Sequence, residues 1–200
     1  MLSAYENHES SIATVKVLST NIGQPREVLW QGEPVMTGIY KEPVTSIHIR
    51  KFFVEGDNVM NPEVHGGEWK AVYGYPSEHY AFWRNEFPRM NMPPGMFGEN
   101  LTTEGLFENE LMIDSVYRIG TAVLQVTEPR MPCYKLAIKF GRVDIIKRFM
   151  KSRKSGFYFT VLEEGVVQPG DRITLEQPGD ERYSVQDIVD RYMRKQEPGT

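Results

Sequence analysis

Short runs of β-branched and aromatic residues recur along most of this chain, and glycine or proline interrupts them every few residues. This pattern is typical of short strands joined by tight turns, and it leaves room for few helices. The predicted strands cover residues 12–18, 27–30, 38–40, 47–54, 70–75, 111–113, 116–119, 122–127, 156–162 and 171–175. We therefore expect a mainly β fold, a closed or partly closed β-barrel with a few peripheral helices.

Four segments have helical patterns instead. The first begins at residues 76–78, where a proline and an acid suit the first turn of a helix. A short helix is expected after Pro132, an amphipathic one at 143–150, and a last one at 184–193 with Ser184 as its N-cap. No repeat or linker divides the chain. We expect a flexible N-terminus at 1–10, one barrel domain at 11–180, and a short helical C-terminal extension at 181–200.

Charge and hydropathy exclude some classes of function. The formal net charge is −4, which argues against a nucleic-acid-binding protein with a basic face. No run of about 18 apolar residues predicts a membrane span. The first eleven residues carry two acids and no Lys or Arg, unlike the basic start of a signal peptide. We expect a cytoplasmic protein that binds neither nucleic acid nor membranes.

Cys133 is the only cysteine, so it forms no intrachain disulfide and builds no Cys-rich zinc or iron–sulfur site alone. Two prolines, at 129 and 132, stiffen its loop. Arg130 and Lys135 are near enough in sequence to favour the thiolate, the form that binds metals and attacks electrophiles. A buried, inert cysteine explains the residue equally well at this point.

The segment 64–72 contains a His65-Gly66-Gly67 turn followed by Lys70. Glycines leave backbone N–H groups accessible, successive N–H groups can form an anion nest, and the lysine adds a positive charge. Together they would suit a phosphate. A tight turn with a solvated lysine is the alternative, and glycine pairs often serve no other purpose.

A second glycine-rich segment, 94–102, contains Glu99 and Asn100. The amide of Asn100 offers donors and an acceptor that suit the edge of a heterocycle. It could equally satisfy local backbone groups. Four aromatic residues could line a pocket for planar substrates, although aromatic side chains more often belong to the core. They are Tyr73, Tyr80, Trp83 and Phe97.

Known catalytic motifs are lacking. The sequence has no Ser-His-Asp nucleophile elbow, no GxGxxG and no Walker loop, and its four histidines lack metal-ligand spacing. A self-contained triad or a zinc site made only of protein ligands is therefore not supported. No flavin or nicotinamide motif is recognisable.

Taken together, three segments resemble the MOSC domain family, named for the C-terminal part of molybdenum cofactor sulfurases. They are HGGEWKAV (65–72), GMFGENLTTEGL (95–106) and YRIGTAVLQVTEPRMPC (117–133). The resemblance runs from about Ile12 to the C-terminus and is greatest to the stand-alone YiiM-like subgroup. The helical extension of that subgroup is matched only at its start, by ERYSVQDIVDRYM (181–193).

This resemblance implies a β-barrel that binds a molybdenum cofactor, molybdopterin with its metal, and it implies a role for each motif. Cys133 would be the catalytic residue and supply a thiolate to molybdenum beside the two dithiolene sulfurs. The turn of His65, Gly66 and Gly67, with Lys70, would hold the cofactor phosphate. Asn100 and Glu99 would meet the pterin, and Arg130 would neutralise cofactor charge near the metal.

The resemblance also implies an activity. Mitochondrial amidoxime-reducing components and YiiM-like proteins reduce N-hydroxylated compounds, including hydroxylaminopurine-type bases. We expect an oxidoreductase of this kind, with electrons from a separate flavoprotein reductase. Two alternatives are a sulfur carrier with a persulfide on Cys133 and a non-catalytic cofactor carrier. A homodimer is one arrangement that the sequence allows.

Overall fold

The computed structural model describes residues 14–57 and 67–196. It contains thirteen strands and four α-helices. The strands are β1 (Lys16–Gly23), β2 (Arg26–Trp30), β3 (Glu33–Thr37), β4 (Lys41–Val44), β5 (Ile47–Arg50), β6 (Phe53–Val54), β7 (Val72–Pro76), β8 (Leu101–Glu104), β9 (Val116–Ile119), β10 (Ala122–Pro129), β11 (Phe157–Glu163), β12 (Gly165–Val167) and β13 (Ile173–Gln177). The helices are α1 (His79–Glu86), α2 (Tyr134–Phe140), α3 (Ile145–Ser152) and α4 (Val185–Gln196).

Eight strands form one mixed sheet in the order β13-β9-β10-β11-β7-β8-β1-β4. Neighbours are antiparallel except β7 and β8, which are parallel. The remaining strands form a three-stranded sheet, β12-β5-β6, and the hairpin β2-β3. The prediction of a mainly β fold with a few helices is confirmed.

β1 has backbone contacts beyond its two neighbours in the sheet. The N–H of Val17 donates to the carbonyl of Asp171 (2.9 Å), and the N–H of Gly170 donates to the carbonyl of Val17 (2.8 Å). An isolated bridge also joins Lys16 and Arg172. The segment just before β13, at one end of the strand order, therefore reaches β1 near the other end.

Several strand predictions were wrong, mainly where proline was interpreted as turn punctuation. Segment 38–40 contains no strand; the strands there are β3 and β4, which include Pro34 and Pro43. Both prolines are tolerated because the hairpin β2-β3 and the outer strand β4 have unpaired edges, where no N–H is needed. Segment 111–113 is also not a strand, since only Met112 forms a bridge, with Ser184.

Other differences concern boundaries. The expected strand 47–54 is divided by a turn into the antiparallel pair β5 and β6. A 3-10 turn, Glu68–Lys70, precedes β7, so that strand begins at Val72 rather than at residue 70. The expectations for 1–10 and for the strand start at 12–13 lie outside the described residues.

Two hydrophobic clusters form the core. The first cluster consists of buried apolar side chains, many of them on the large sheet, including Val17, Leu101 and Phe159. The other is aromatic and packs around α1: the ring of Tyr75 stacks on Phe97 with centroids 4.3 Å apart, and the indole N–H of Trp83 donates to the Tyr75 hydroxyl at 2.7 Å. Tyr80, Trp83 and Phe97 are core residues, as aromatic side chains usually are. Tyr73 belongs to this cluster too, but it also reaches the cavity described next.

Candidate functional site

A cavity of about 630 Å³ that opens to solvent lies where the end of β10, the start of α2 and the segment before β4 meet. Its wall is rich in titratable side chains, namely Lys41, Asp57, Lys70, Arg130, Cys133 and Lys135. Four of these six are cations at neutral pH and one is a carboxylate, so the wall carries an excess of positive charge.

The position of Cys133 follows from the prolines around it. Pro129 ends β10, because proline has no N–H to continue the ladder, and the chain leaves the sheet there. Cys133 has an extended backbone and is the N-cap of α2. The residue is half-buried and lines the cavity. The strand end therefore leads the chain to the cavity wall, and the helix start fixes the cysteine there.

Arg130 lies on the same wall and is only 5% exposed. Its guanidinium carbon is 5.3 Å from the centre of the Tyr73 ring and 5.4 Å from that of Phe149. Burial alone would lower the pKa of Arg130, but Tyr73, Tyr158 and Cys133 outweigh burial and raise it. Among the described residues, no protein atom bonds its Nη1. A buried guanidinium nitrogen without an acceptor is unusual in proteins.

Lys135 is also buried beside Cys133. Burial lowers the pKa of Lys135, and the neighbouring Cys133 opposes this effect. The hydroxyl of Tyr73 donates to the carbonyl of Ser155 at 2.7 Å and so does not supply a proton to the cavity in this arrangement.

A buried carboxylate, Asp57, joins three parts of the chain at the cavity. It accepts hydrogen bonds from the N–H of Gly23 (2.8 Å), the side-chain amide of Asn100 (2.8 Å) and the ammonium of Lys41. Gly23 must be a glycine, because a Cβ there would lie 2.2 Å from the carbonyl oxygen of Gly38. These hydrogen bonds to Asp57 hold the last residue of β1, Gly23, and the first residue of β4, Lys41, next to the cavity.

Lys70 has a different environment from Lys41. It lies at the rim, about one-third exposed, and pairs with Glu128 at 2.9 Å. The hydroxyl of Thr127 donates to the carbonyl of Trp69 at 2.6 Å, which fixes the turn before β7 against the end of β10. The charge of Lys70 is therefore already largely balanced and hydrated.

The cavity brings together four of the predicted site residues: Lys70, Asn100, Arg130 and Cys133. Asn100 is fully engaged by protein, since its amide also donates to the carbonyl of Asn21 and accepts from the N–H of Tyr73. Its local contacts match the alternative in which it satisfies neighbouring groups. Gly67 is described, with a φ of 87°, but does not line the cavity. His65 and Gly66 lie outside the described residues.

Glu99 is not brought to the cavity wall. It is fully buried, and its oxygens accept from the hydroxyl of Tyr80 (2.5 Å) and the N–H groups of Gly95 (2.8 Å) and Phe97 (3.0 Å). Burial raises the pKa of Glu99, and these hydrogen bonds oppose that rise. Its contacts organise the loop before β8.

Sequence reasoning missed Lys41, Asp57 and Tyr158, which all line the cavity. The signal for Asp57 was its position after a glycine, just ahead of the His-Gly-Gly turn. No spacing rule connects residues 41 and 57, because the pair forms only when β4 adds to the edge of β1. Tyr158 lies between the buried Phe157 and Phe159 on β11, and no motif in the sequence marks it.

Within residues 14–57 and 67–196, no group of three or more His, Cys, Asp or Glu side chains could hold a metal ion. In the same part of the chain, no helix is long and apolar enough to cross a membrane.

Comparison with known proteins identifies the family. The family model for the MOSC domain matches residues 61–174, which include the end of β10 and Cys133. The chain belongs to the MOSC domain family. It is 43% identical over 171 residues to the uncharacterized protein YflK of Bacillus subtilis, covering 85% of this chain and 77% of YflK.

Other MOSC relatives support this assignment. The crystal structure of YiiM from Geobacillus stearothermophilus has a TM-score of 0.75 and 36% identity, covering 92% of this chain and 86% of that one. A protein named reductase from Gibberella moniliformis is 32% identical over 164 residues, covering 78% of this chain but only 28% of that protein. The likeness to YiiM agrees with the subgroup that the sequence motifs indicated.

Proposed function

We propose that this protein binds a molybdenum–pterin cofactor in the cavity and reduces N-hydroxylated compounds there. The observation that carries the proposal is a single half-buried cysteine, Cys133, on a cavity wall with an excess of cations. A soft thiolate suits molybdenum, and one protein ligand is enough when the cofactor supplies the others. The cofactor is anionic, which suits the excess of basic side chains on this wall.

The residues present fit this group. The Nη1 of the buried Arg130, which no atom of residues 14–57 or 67–196 bonds, offers a donor to an anionic ligand. When bound, the cofactor would supply a two-electron redox couple. Cys133 would hold the metal, with Arg130 and Lys135 balancing negative charge around it. Lys70 lies at the rim, where it would meet the cofactor phosphate. The part that the resemblance gives to His65, Gly66 and Gly67 in holding that phosphate stays a proposal from the sequence.

Asn100 and Glu99 would act less directly than the resemblance implies. The side-chain amide of Asn100 holds Asp57 and the backbone of Tyr73, both of which line the cavity. Glu99 fixes the loop 95–98, of which Gly98 lines the cavity. We propose that both residues shape the wall that the pterin meets.

The proposed reaction converts an N–OH group to N–H and releases the oxygen as water. It consumes two electrons and two protons. The relative named reductase supports an oxidoreductase. The electrons would come from a separate flavoprotein reductase, since this sequence has no flavin or nicotinamide motif.

We further propose that the sheet closes into a barrel through β1 and segment 170–173, and that the protein acts in the cytoplasm.

One observation also favours a second candidate, a sulfur carrier. A cysteine between Arg130 and Lys135 at the edge of a cavity suits persulfide chemistry as well as metal binding. In that case the protein would be free of metal and would carry sulfur that cyanide releases from Cys133.

The test is turnover by protein purified from a host that makes molybdopterin. Amidoximes and hydroxylaminopurine would be offered with a chemically reduced dye as electron donor, to wild type and to Cys133→Ala. We expect reduced product from wild type only. Metal-loaded wild type that turns over none of these compounds would favour a non-catalytic cofactor carrier, and metal-free protein with cyanide-labile sulfur would favour the sulfur carrier.

A further inference from the structure

Helix α3 and the turns beside it carry an excess of basic side chains. Residues 142–154 contain six of the chain's 23 Lys and Arg residues and only one of its 27 Asp and Glu residues, Asp144. The segment therefore has a formal charge of +5, whereas the whole chain has a net charge of −4. The rest of the chain must then carry −9, so this segment is a local exception in an acidic protein.

Two arginines are held in place at one end of this segment. The Nε atoms of Arg142 and Arg148 both bond the carboxylate of Asp144, at 2.5 and 2.9 Å. Arg148 also pairs with Glu86 on α1 at 2.8 Å. The two guanidinium carbons lie 4.9 and 5.8 Å from the centre of the Phe87 ring. Because these contacts already order the arginines, a partner that binds them loses less affinity to ordering.

Two lysines on α3 lack such acidic partners. Lys147 and Lys151 are exposed, and neither belongs to an ion pair of the described residues. They are four residues apart and so lie on one side of the helix, where like charges repel. Arg148 is three residues from Lys151 and lies beside both. We call the exposed side chains of Arg142, Lys147, Arg148 and Lys151 the basic face.

The other side of α3 is directed toward the cavity. Phe149 is two residues from Lys147 and from Lys151, which is roughly half a turn of helix, and it is buried. The centre of its ring is 5.4 Å from the guanidinium carbon of Arg130, which lines the cavity. An α-helix with its side chains is about 10–12 Å across. A protein bound to the basic face would therefore be separated from the cavity wall by about one helix.

A shallow groove borders the basic face and supplies apolar contacts. Arg142 and Asp144 belong to both surfaces. Val143 lies between them in sequence and is 61% exposed. Protein interfaces commonly surround apolar side chains with a polar and charged rim, and this surface offers both parts. The other residues that line the groove are Trp30, Met90, Phe140 and Gly141.

We propose that the basic face is the docking surface for an acidic flavoprotein that delivers electrons to the cavity. The inference rests on the proposed function, which needs a separate electron donor. Charge complementarity speeds the encounter of such partners and orients them. Electron-transfer complexes are among the smallest protein interfaces, so one helix face and the adjoining groove suffice.

A globular acidic partner fits this surface better than a membrane or a nucleic acid does. Either of those extended polyanions would also meet the acidic remainder of the chain and be repelled by it. The electron balance is also met. Oxidation of one flavin hydroquinone to the quinone releases two electrons and two protons, and the proposed conversion of N–OH to N–H and water consumes the same number of each.

The test is calorimetric titration of flavodoxin, a small acidic FMN protein, into the full chain produced without molybdenum cofactor. Wild type should bind at low ionic strength, and salt should weaken the binding steeply. The double variant Lys147→Gln with Lys151→Gln should bind roughly threefold to tenfold more weakly at low salt, the effect expected for two charges at an interface rim. Its affinity should also depend less on salt.

The matched control is Lys51→Gln with Arg172→Gln. It removes the same charge from exposed positions in the turn before β6 and just ahead of β13. The control should change the affinity by less than about twofold. Both double variants should unfold at temperatures close to wild type, because all four side chains are exposed.

Three results would overturn the proposal. They are no salt-dependent binding of flavodoxin by wild type, equal affinity in wild type and the Lys147→Gln, Lys151→Gln variant, and an equal loss in the control. Vesicles that contain phosphatidylglycerol and duplex DNA are tested in parallel. Binding of either that depends on Lys147 and Lys151, without binding of flavodoxin, would assign the basic face to that polyanion instead.

Failure of the proposed function is visible separately. A reduced dye needs no docking surface, so dye-driven turnover of hydroxylaminopurine by cofactor-loaded protein should be equal in wild type and the Lys147→Gln, Lys151→Gln variant. With limiting flavodoxin as donor, turnover by the variant should fall by about the same factor as its affinity. If loaded wild type turns over nothing with the dye, the proposed function fails, whereas the binding experiment still decides whether the basic face docks an acidic flavoprotein.

Discussion

At the scale of residues, the cavity depends on charged groups held out of water by their neighbours. The carboxylate of Asp57 can be buried because Gly23, Asn100 and Lys41 all donate hydrogen bonds to it. The guanidinium of Arg130 lies close to the rings of Tyr73 and Phe149, and its Nη1 has no partner among the residues that the structure describes. Removing one member of such a set leaves the others buried and unpaired, which costs more than the lost contact itself.

Lys139 on α2 gives a pH-dependent prediction at this scale. Its ammonium is 4.7 Å from the centre of the Tyr40 ring, and Arg26 contacts the same ring at 3.4 Å. Burial lowers the pKa of Lys139 from 10.5 to about 8, with Glu99 opposing and Arg26 adding to the effect. Below pH 8 the lysine is charged in both states, so the folded state bears the full cost of burying that charge.

Between about pH 8 and 10.5 the folded protein releases this proton before the unfolded chain does. The contribution of Lys139 to stability therefore rises with pH across this window. Lys139→Met should be more stable than wild type by roughly 1–2 kcal/mol at pH 7, after allowing for the lost cation–π contact. The gain should shrink toward pH 10.

Urea unfolding at pH 7 and pH 10 measures this difference. The control is Lys147→Met, an exposed lysine on α3, which should be neutral at both pH values. A Lys139→Met variant that is less stable at pH 7, or that differs from wild type equally at both pH values, would show that burial of this charge is not costly.

At the scale of elements, the sequence predicted the central strands well and the edge strands poorly. β9 and β10 bury most of their residues, so their apolar runs are unambiguous. β3 contains Pro34 and is mostly exposed, and β4 contains Pro43 and exposes half of its residues. Local sequence cannot distinguish such a strand from a turn, because whether it pairs, and with which strand, depends on the tertiary fold.

The same limit applies to the site. The loop that carries Cys133 was predictable, since a strand end and two prolines mark it. The pairing of Lys41 with Asp57 was not, because it depends on a strand addition between distant segments. Glu99 and Asn100 were found as a motif, but their local partners become visible only in the folded chain.

Glu108 gives a prediction about how elements are joined. It is buried between α1 and the start of β11, accepting from the ring of His79 at 2.7 Å and from the N–H of Gly156 at 2.8 Å. Glu108→Ala leaves both donors unpaired inside the protein. We expect it to lower the free energy of unfolding by roughly 2–4 kcal/mol.

The control variant for Glu108→Ala is Glu110→Ala, because Glu110 is exposed on the same turn. That control should cost less than about 0.5 kcal/mol. Both values come from urea titration followed by circular dichroism. If the two variants unfold at the same urea concentration, the buried contacts of Glu108 are not structurally important.

At the scale of the whole molecule, the large sheet supplies a rigid frame, and the cavity lies where chain segments leave it. Arg130 and Cys133 follow the end of β10, and Lys41 begins β4. Asp57 bonds the last residue of β1, and Lys70 lies just before β7. Functional residues at strand ends can vary while the sheet stays the same. This arrangement explains how a single cysteine acquires a defined environment.

The most direct test of the account is the molybdenum content of wild type and Cys133→Ala, purified side by side from a host that makes the cofactor. We predict about one molybdenum per wild-type chain and a large loss in the variant, since the thiolate is the one protein ligand proposed. X-ray absorption at the metal should show one sulfur fewer in any molybdenum the variant retains. Equal metal content with unchanged sulfur coordination, or no molybdenum in wild type, would contradict it.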